Sequence, residues 1–98
     1  MNSTLSQAVK ERRILTFSYH GYPRVVEPHT YGVYGATGNE VIVSYQTRGG
    51  SQSGGIPDWR TFNTSEIVGL NVTQEKFENT RHGYNPNDSR IRHFFARA

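Results

Sequence analysis

The segment Ile14-Leu15-Thr16-Phe17-Ser18-Tyr19-His20 decides the fold. Leu15, Phe17 and Tyr19 fall on one side and Ile14, Thr16 and Ser18 on the other, a two-residue period carried by β-formers. This is a first strand. The turn chemistry of His20-Gly21-Tyr22-Pro23 follows, and Arg24 to Glu27 resumes as a strand that must stop or become an edge at Pro28. A hairpin is implied.

Further along, Thr30 to Tyr34 is another short β-prone run, and the Gly35 to Asn39 cluster turns the chain. Glu40 to Gln46 alternates again, with Val41, Val43 and Tyr45 on one face, and predicts a central strand. Thr47 to Pro57 holds four glycines and two serines, so its backbone is costly to order and it reads as a mobile loop projecting into solvent. Asp58 to Asn63 places Trp59 and Thr61 opposite Arg60 and Phe62, Thr64 and Ser65 turn the chain, and Ile67 to Thr73 is a further strand. Before all of these, Thr4 with Gln7 makes a capping-box pattern, and Leu5, Ala8 and Val9 share one face of a short helix running to about Arg12. At the far end, Asn87 or Asp88 caps a last short helix whose apolar side is Ile91, Phe94 and Phe95.

Short strands with frequent turns after one helix predict a mainly β (α+β) domain, a small bent antiparallel sheet or partly open barrel. The division expected is a barrel over residues 1–78 and a basic C-terminal extension over residues 79–98. At 98 residues the chain is too short for a two-domain enzyme with a cleft between domains. With 34% hydrophobic residues, nearly every large apolar side chain is needed inside.

Zero cysteines exclude a disulfide framework and thiolate-ligated metal sites, and fit a reducing compartment. No apolar run exceeds three residues, so a soluble, cytoplasmic protein with no membrane partner is expected. From Met1 to Thr80 seven basic residues face seven acidic ones, and the net charge of +3 arises after Thr80, where Arg81, Arg90, Arg92 and Arg97 face only Asp88. The basic pI therefore describes a tail. Nine of the eleven cations are arginine, a bias that suits recognition of phosphate or carboxylate.

Catalytic patterns are missing. Glu75 and Glu78 are the only close acidic pair, in a polar stretch, and His20, His29, His82 and His93 show no metal-ligand spacing. Gly49 to Gly55 lacks the Lys-Ser/Thr ending of a phosphate-cradling loop. No catalytic residue, metal or cofactor is expected.

Arg24 and Arg60 are more informative. Arg24 shares a sheet face with Val26 and Arg60 with Phe62, so each must reach a rim, meet a partner, or line a wet concavity. One reading is two ordinary ion pairs with Glu27, Asp58 or Glu66. The other has both arginines converge on a groove and hold an anion, with Tyr19 or Tyr45 supplying a stacking surface or a hydroxyl. Arg48 and His29 complete the candidate ligand-binding set.

The run Leu15-Thr16-Phe17-Ser18-Tyr19, then Arg24-Val25-Val26-Glu27-Pro28-His29, then Val41-Ile42-Val43-Ser44-Tyr45, then Arg60-Thr61-Phe62 with Ile67 and Leu70, resembles the WYL domain in order and approximate spacing. The resemblance covers roughly residues 5–77. It implies a bent Sm-like or SH3-like barrel that usually serves as the ligand-sensing module of bacterial transcriptional regulators. Similar domains occur in phage-defence and CRISPR-associated proteins, with a nucleotide or single-stranded nucleic acid in a basic groove. By position, Arg24 and Arg60 match that family's groove arginines.

The tripeptide that names the family would fall at Glu40-Val41-Ile42, so its tryptophan and tyrosine are not present. Nor is there room before Leu15 for the helix-turn-helix that precedes the sensor in such regulators. Two functions are therefore expected from the sequence. The first is a standalone, non-enzymatic ligand-binding regulatory module for a nucleotide or single-stranded nucleic acid, with the tail residues Arg90, Arg92 and Arg97 adding weaker phosphate contacts. The second is a protein-interaction subunit, a homodimer or the partner of a protein regulator, docking through Ile91, Phe94 and Phe95.

Overall fold

A computed structural model describes residues 1–98. Helix α1 (Ser3–Lys10) buries Leu5, Ala8 and Val9, the face its spacing predicts. Its cap differs from the Thr4/Gln7 expectation. The Asn2 side chain accepts from the Leu5 N–H at 3.1 Å and starts the helix earlier, while the Gln7 amide turns forward to donate to Glu11. Arg12, at φ 55°, then swings the chain into β1 (Arg13–Tyr19).

Strand β2 (Tyr22–Tyr34) runs through Pro28 without a break, which corrects the expectation of two separate short strands. Its first half pairs with β1, from Tyr19↔Tyr22 to Leu15↔Val26. Its second half, from Thr30 onward, pairs on that side with the last strand, β6 (Ile91–Arg97). Pro28 lies between the two partners, so a residue without an N–H interrupts no continuous ladder there. Along its other edge β2 pairs with β3 (Glu40–Gly49), and the register slips between Pro28 and Thr30.

Strand β4 (Asp58–Asn63) adds to β3, a 3₁₀ turn occupies Thr64–Glu66, and β5 (Val68–Lys76) pairs with β1. The order is β4-β3-β2-β1-β5, with β6 on β2, all antiparallel. This is the mainly β, open-barrel class predicted from the alternation, with β3 inside the sheet as expected.

The principal core joins α1 to Leu15, Phe17, Tyr19, Val26, Tyr31, Ile42, Phe62 and Ala96. A smaller cluster of Val41, Val43 and Ile91 lies against Tyr34, Trp59 and Phe94. Strand β3 is thus buried on both faces, Ile42 in one cluster and Val41 and Val43 in the other.

The expected C-terminal helix is instead β6. Ile91, Phe94 and Phe95 have the three- and four-residue spacing of a helix face, but β2 offers a row of free backbone groups from Thr30 to Tyr34, and pairing satisfies both strands. These side chains do not form one exposed face. Ile91 enters the smaller cluster, Phe94 packs on it, and Phe95 packs on the principal core against Tyr31, ring centroids 4.9 Å apart. Residues 79–98, expected as an extension, supply a strand of the sheet and part of its core. No helix is long and apolar enough to cross a membrane.

Candidate anion-binding hollow

Arg24 sits on the inward face of β2, opposite Phe17, and is only 5% exposed. One terminal nitrogen of its guanidinium donates to Gln46 Oε1 at 3.1 Å and the other to the Tyr19 carbonyl at 3.0 Å. Aromatic faces surround it: Tyr19 and Phe62 lie 5.5 Å and Tyr22 5.7 Å from the guanidinium carbon. No carboxylate pairs with it. Burial, and then the charge of Arg60, push its pKa below the usual guanidinium value.

Arg60 reaches the same place from β4. Its terminal nitrogens donate to Ser53 Oγ at 3.2 Å, to Ser51 Oγ at 3.3 Å and to the Gly54 carbonyl. All three acceptors are neutral. The buried Nε of Arg60, like that of Arg24, has no hydrogen-bond partner.

Between the two arginines lies a hollow of about 480 Å³, walled by Tyr19 and His20 at the β1–β2 turn and by Ser51 to Ser53 of the glycine loop. That loop is exposed, as its composition predicts, yet it folds back onto Arg60 instead of standing free in solvent.

The carboxylates named as alternative partners are engaged elsewhere. Glu27 holds Arg81, Glu66 holds His20 at 2.7 Å, and Asp58 accepts from the backbone N–H of Trp59. Two cations therefore share one concavity with no acid between them.

Of the other candidates, Tyr19 belongs to the hollow. Its hydroxyl accepts from the Asn63 N–H at 3.1 Å and donates to Glu66 at 3.3 Å, and its ring stacks on His20 with centroids 4.2 Å apart. Burial, and secondarily the Glu66 carboxylate, raise the pKa of that phenol.

Tyr45, Arg48 and His29 do not line the hollow. Tyr45 packs edge-on to Trp59 and lies under the Arg81 guanidinium, 4.8 Å from ring centroid to carbon. Arg48 projects outward near the end of β3. His29 is fully buried, its Nδ1 donating to the Glu27 carbonyl at 2.8 Å while Nε2 accepts from the Arg81 N–H at 3.1 Å. Both ring nitrogens are thereby used in a structural role.

Sequence reasoning missed His20, Ser51 and Ser53 as wall residues. The signal for His20 was its place before Gly21: a left-handed φ of 52° turns it against Tyr19. No three His, Asp or Glu side chains gather where they could hold a metal ion. No family model, no curated protein and no solved structure matches the chain.

Proposed function

We propose that this chain is a non-enzymatic ligand-binding regulatory module that takes a nucleotide or single-stranded nucleic acid by its phosphate, between Arg24 and Arg60. The observation that carries this is the convergence of two guanidinium groups on one hollow without a counter-charge. Burying a cation beside another cation is unfavourable for the fold alone, and an anion in the hollow reverses the sign of that interaction. The neutral oxygens of Ser51, Ser53 and Gly54 are weaker acceptors for Arg60 than a phosphate, because charge-assisted bonds are roughly twice as strong as neutral ones. Positional resemblance to the groove arginines of WYL domains supports the same reading.

Fluorescence anisotropy of a labelled single-stranded oligonucleotide tests it. Arg60→Ala weakens binding by about 1.5–3 kcal/mol, the range for hydrogen bonds to charged groups. With two phosphate contacts from these arginines, affinity falls with salt at a logarithmic slope of roughly −1.4. Unchanged affinity in the Arg24→Met, Arg60→Ala double variant removes the proposal.

A further inference from the structure

A guanidinium grips a phosphate with two parallel bonds along one of two edges, Nε with Nη2 or Nη1 with Nη2, and Nη2 is common to both. Arg81 and Arg90 present the first of these edges to Glu27 and Asp88. In Arg60 the shared nitrogen, with two hydrogens, already has two acceptors, Ser51 Oγ at 3.3 Å and the Gly54 carbonyl, while Nη1 donates to Ser53 Oγ at 3.2 Å. A phosphate therefore takes either edge only by displacing an acceptor of the glycine loop. Arg24 needs no such exchange, because its Nη1 and Nη2 have one acceptor each and its buried Nε has none.

The loop is fastened nowhere else. Its root is pinned: the Gly50 N–H donates to the Pro23 carbonyl at 3.0 Å, and the Gln46 side-chain amide donates to the Arg48 and Gly50 carbonyls at 3.1 and 3.0 Å. From residue 51 to residue 57, just before β4, every hydrogen bond to the rest of the chain comes from Arg60. Ile56 joins neither apolar cluster. Within the loop, Ser51 Oγ donates to the Gly54 carbonyl at 2.7 Å and the Gly54 N–H returns to the Ser51 carbonyl at 3.3 Å, so residues 51–54 form a turn that docks on Arg60 as a unit. Gly54 and Gly55, at φ 71° and 72°, give the turn a left-handed backbone that other residues adopt under strain.

We propose that the glycine loop is an autoinhibitory strap on the phosphate site: residues 51–54 compete for Arg60, and a phosphate gripped by Arg60 releases residues 51–57 from the body of the protein. This rests on the phosphate reading of the hollow. It adds that the site is regulated by its own chain, with one side chain serving as the loop's fastener and as a ligand-binding group. The apparent affinity is then the intrinsic affinity reduced by the fraction of molecules in which Arg60 is free of the loop.

Gly54→Ala tests the strap without adding a clash, since a Cβ there meets nothing within 4 Å, while the positive φ disfavours any side chain. Adenosine 5′-monophosphate and a short labelled oligothymidylate are the probes for the full-length chain, one carrying phosphate on a free nucleotide and the other within a strand. Gly54→Ala binds about five-fold or more tighter than the parent. The double variant Ser51→Ala, Ser53→Ala, which removes two of the three acceptors of Arg60, also binds tighter. In the parent, saturation with whichever probe binds lowers the heteronuclear NOE of the Ser51 to Gly55 amides and leaves that of the pinned Gly50 unchanged.

Equal or weaker binding by Gly54→Ala overturns the strap, as does a saturated parent whose loop amides keep their NOE. Weaker binding by the serine variant shows hydroxyls that hold the anion under a closing loop, and overturns it too. Each of these results leaves the phosphate site standing. Failure of both probes to bind the parent and both variants overturns the phosphate reading and the strap with it.

Discussion

Arg81 grips Glu27 with two prongs, Nε to Oε1 at 2.7 Å and a terminal nitrogen to Oε2 at 3.0 Å. The Glu27 side chain is 7% exposed and that of Arg81 44%, so the acid is the buried member of the pair. The fork ties the segment leading to β6 onto β2. It also engages the acid nearest in sequence to Arg24, an arginine with no carboxylate partner.

Removing Arg81 strands a buried carboxylate. Arg81→Ala lowers stability by about 1–3 kcal/mol, less than for a fully buried pair because the arginine is partly solvated. Urea unfolding measures this as a lower midpoint. An unchanged midpoint shows that water replaces the arginine at no cost.

Arg24→Met behaves differently. The substitution keeps an apolar stem against Tyr19 and Phe62 and removes a buried cation that has no ion-pair partner. It also deprives Gln46 Oε1 and the Tyr19 carbonyl of a donor. The opposing effects leave stability within about 1–2 kcal/mol of the parent, while oligonucleotide affinity drops. A loss of stability well above that range assigns Arg24 to the fold instead of the ligand.

Acid exposes a histidine. Burial depresses the pKa of His29 below its ordinary 6.5. Between the depressed folded value and 6.5 the unfolded chain binds a proton that the folded chain refuses, so stability rises with pH there and is lost as pH falls below 6.5. The limiting slope is about 1.4 kcal/mol per pH unit for one proton. The lowered carboxyls of Glu11, Glu40, Glu66 and Asp88 act in a separate window: their stabilisation is present above the unfolded values of 4.5, or 3.8 for Asp88, and is lost as pH falls through the folded ones. Chemical denaturation across pH separates the two, and His29→Asn flattens only the upper window. A parent profile that is flat just below 6.5 disproves the assignment.

Strands β2 and β6 approach most closely at Gly32, where a Cβ would lie 2.3 Å from the His93 carbonyl oxygen and 2.8 Å from Ile91 Cγ2. Gly32→Ala forces the pair apart and costs about 1–3 kcal/mol, lowering Tm by roughly 4–8 °C for each kcal/mol. A chain ended after Glu78 loses β6 altogether and with it Ala96 and Phe95 from the core. That truncation unfolds or aggregates in sedimentation and melting experiments. A truncated monomer with the parent melting temperature overturns this account of β6.

The strands were legible where hydrophobic alternation is local. Leu15, Phe17 and Tyr19 announce β1, and Asp58 to Asn63 is β4 with the bounds the pattern implies. Pro28 misled because a proline's cost depends on what stands beside it, and beside it is the gap between β1 and β6. Ile91, Phe94 and Phe95 misled because their spacing suits a helix, whereas the backbone groups that make them a strand belong to β2.

The site divides the same way. That Arg24 and Arg60 share sheet faces with apolar neighbours is a matter of residue parity, and parity is written in the chain. Whether they meet depends on β3 standing between their two strands, with Arg24 opposite Gly49 and Arg60 opposite Ser44, and on which partner each carboxylate takes. Glu27 and Glu66 took Arg81 and His20, choices made by distance after folding. The sequence by itself determined the faces, because side-chain direction alternates with every residue. Tertiary structure alone decided the neighbours, because pairing between segments far apart in the chain depends on contacts that no local pattern records.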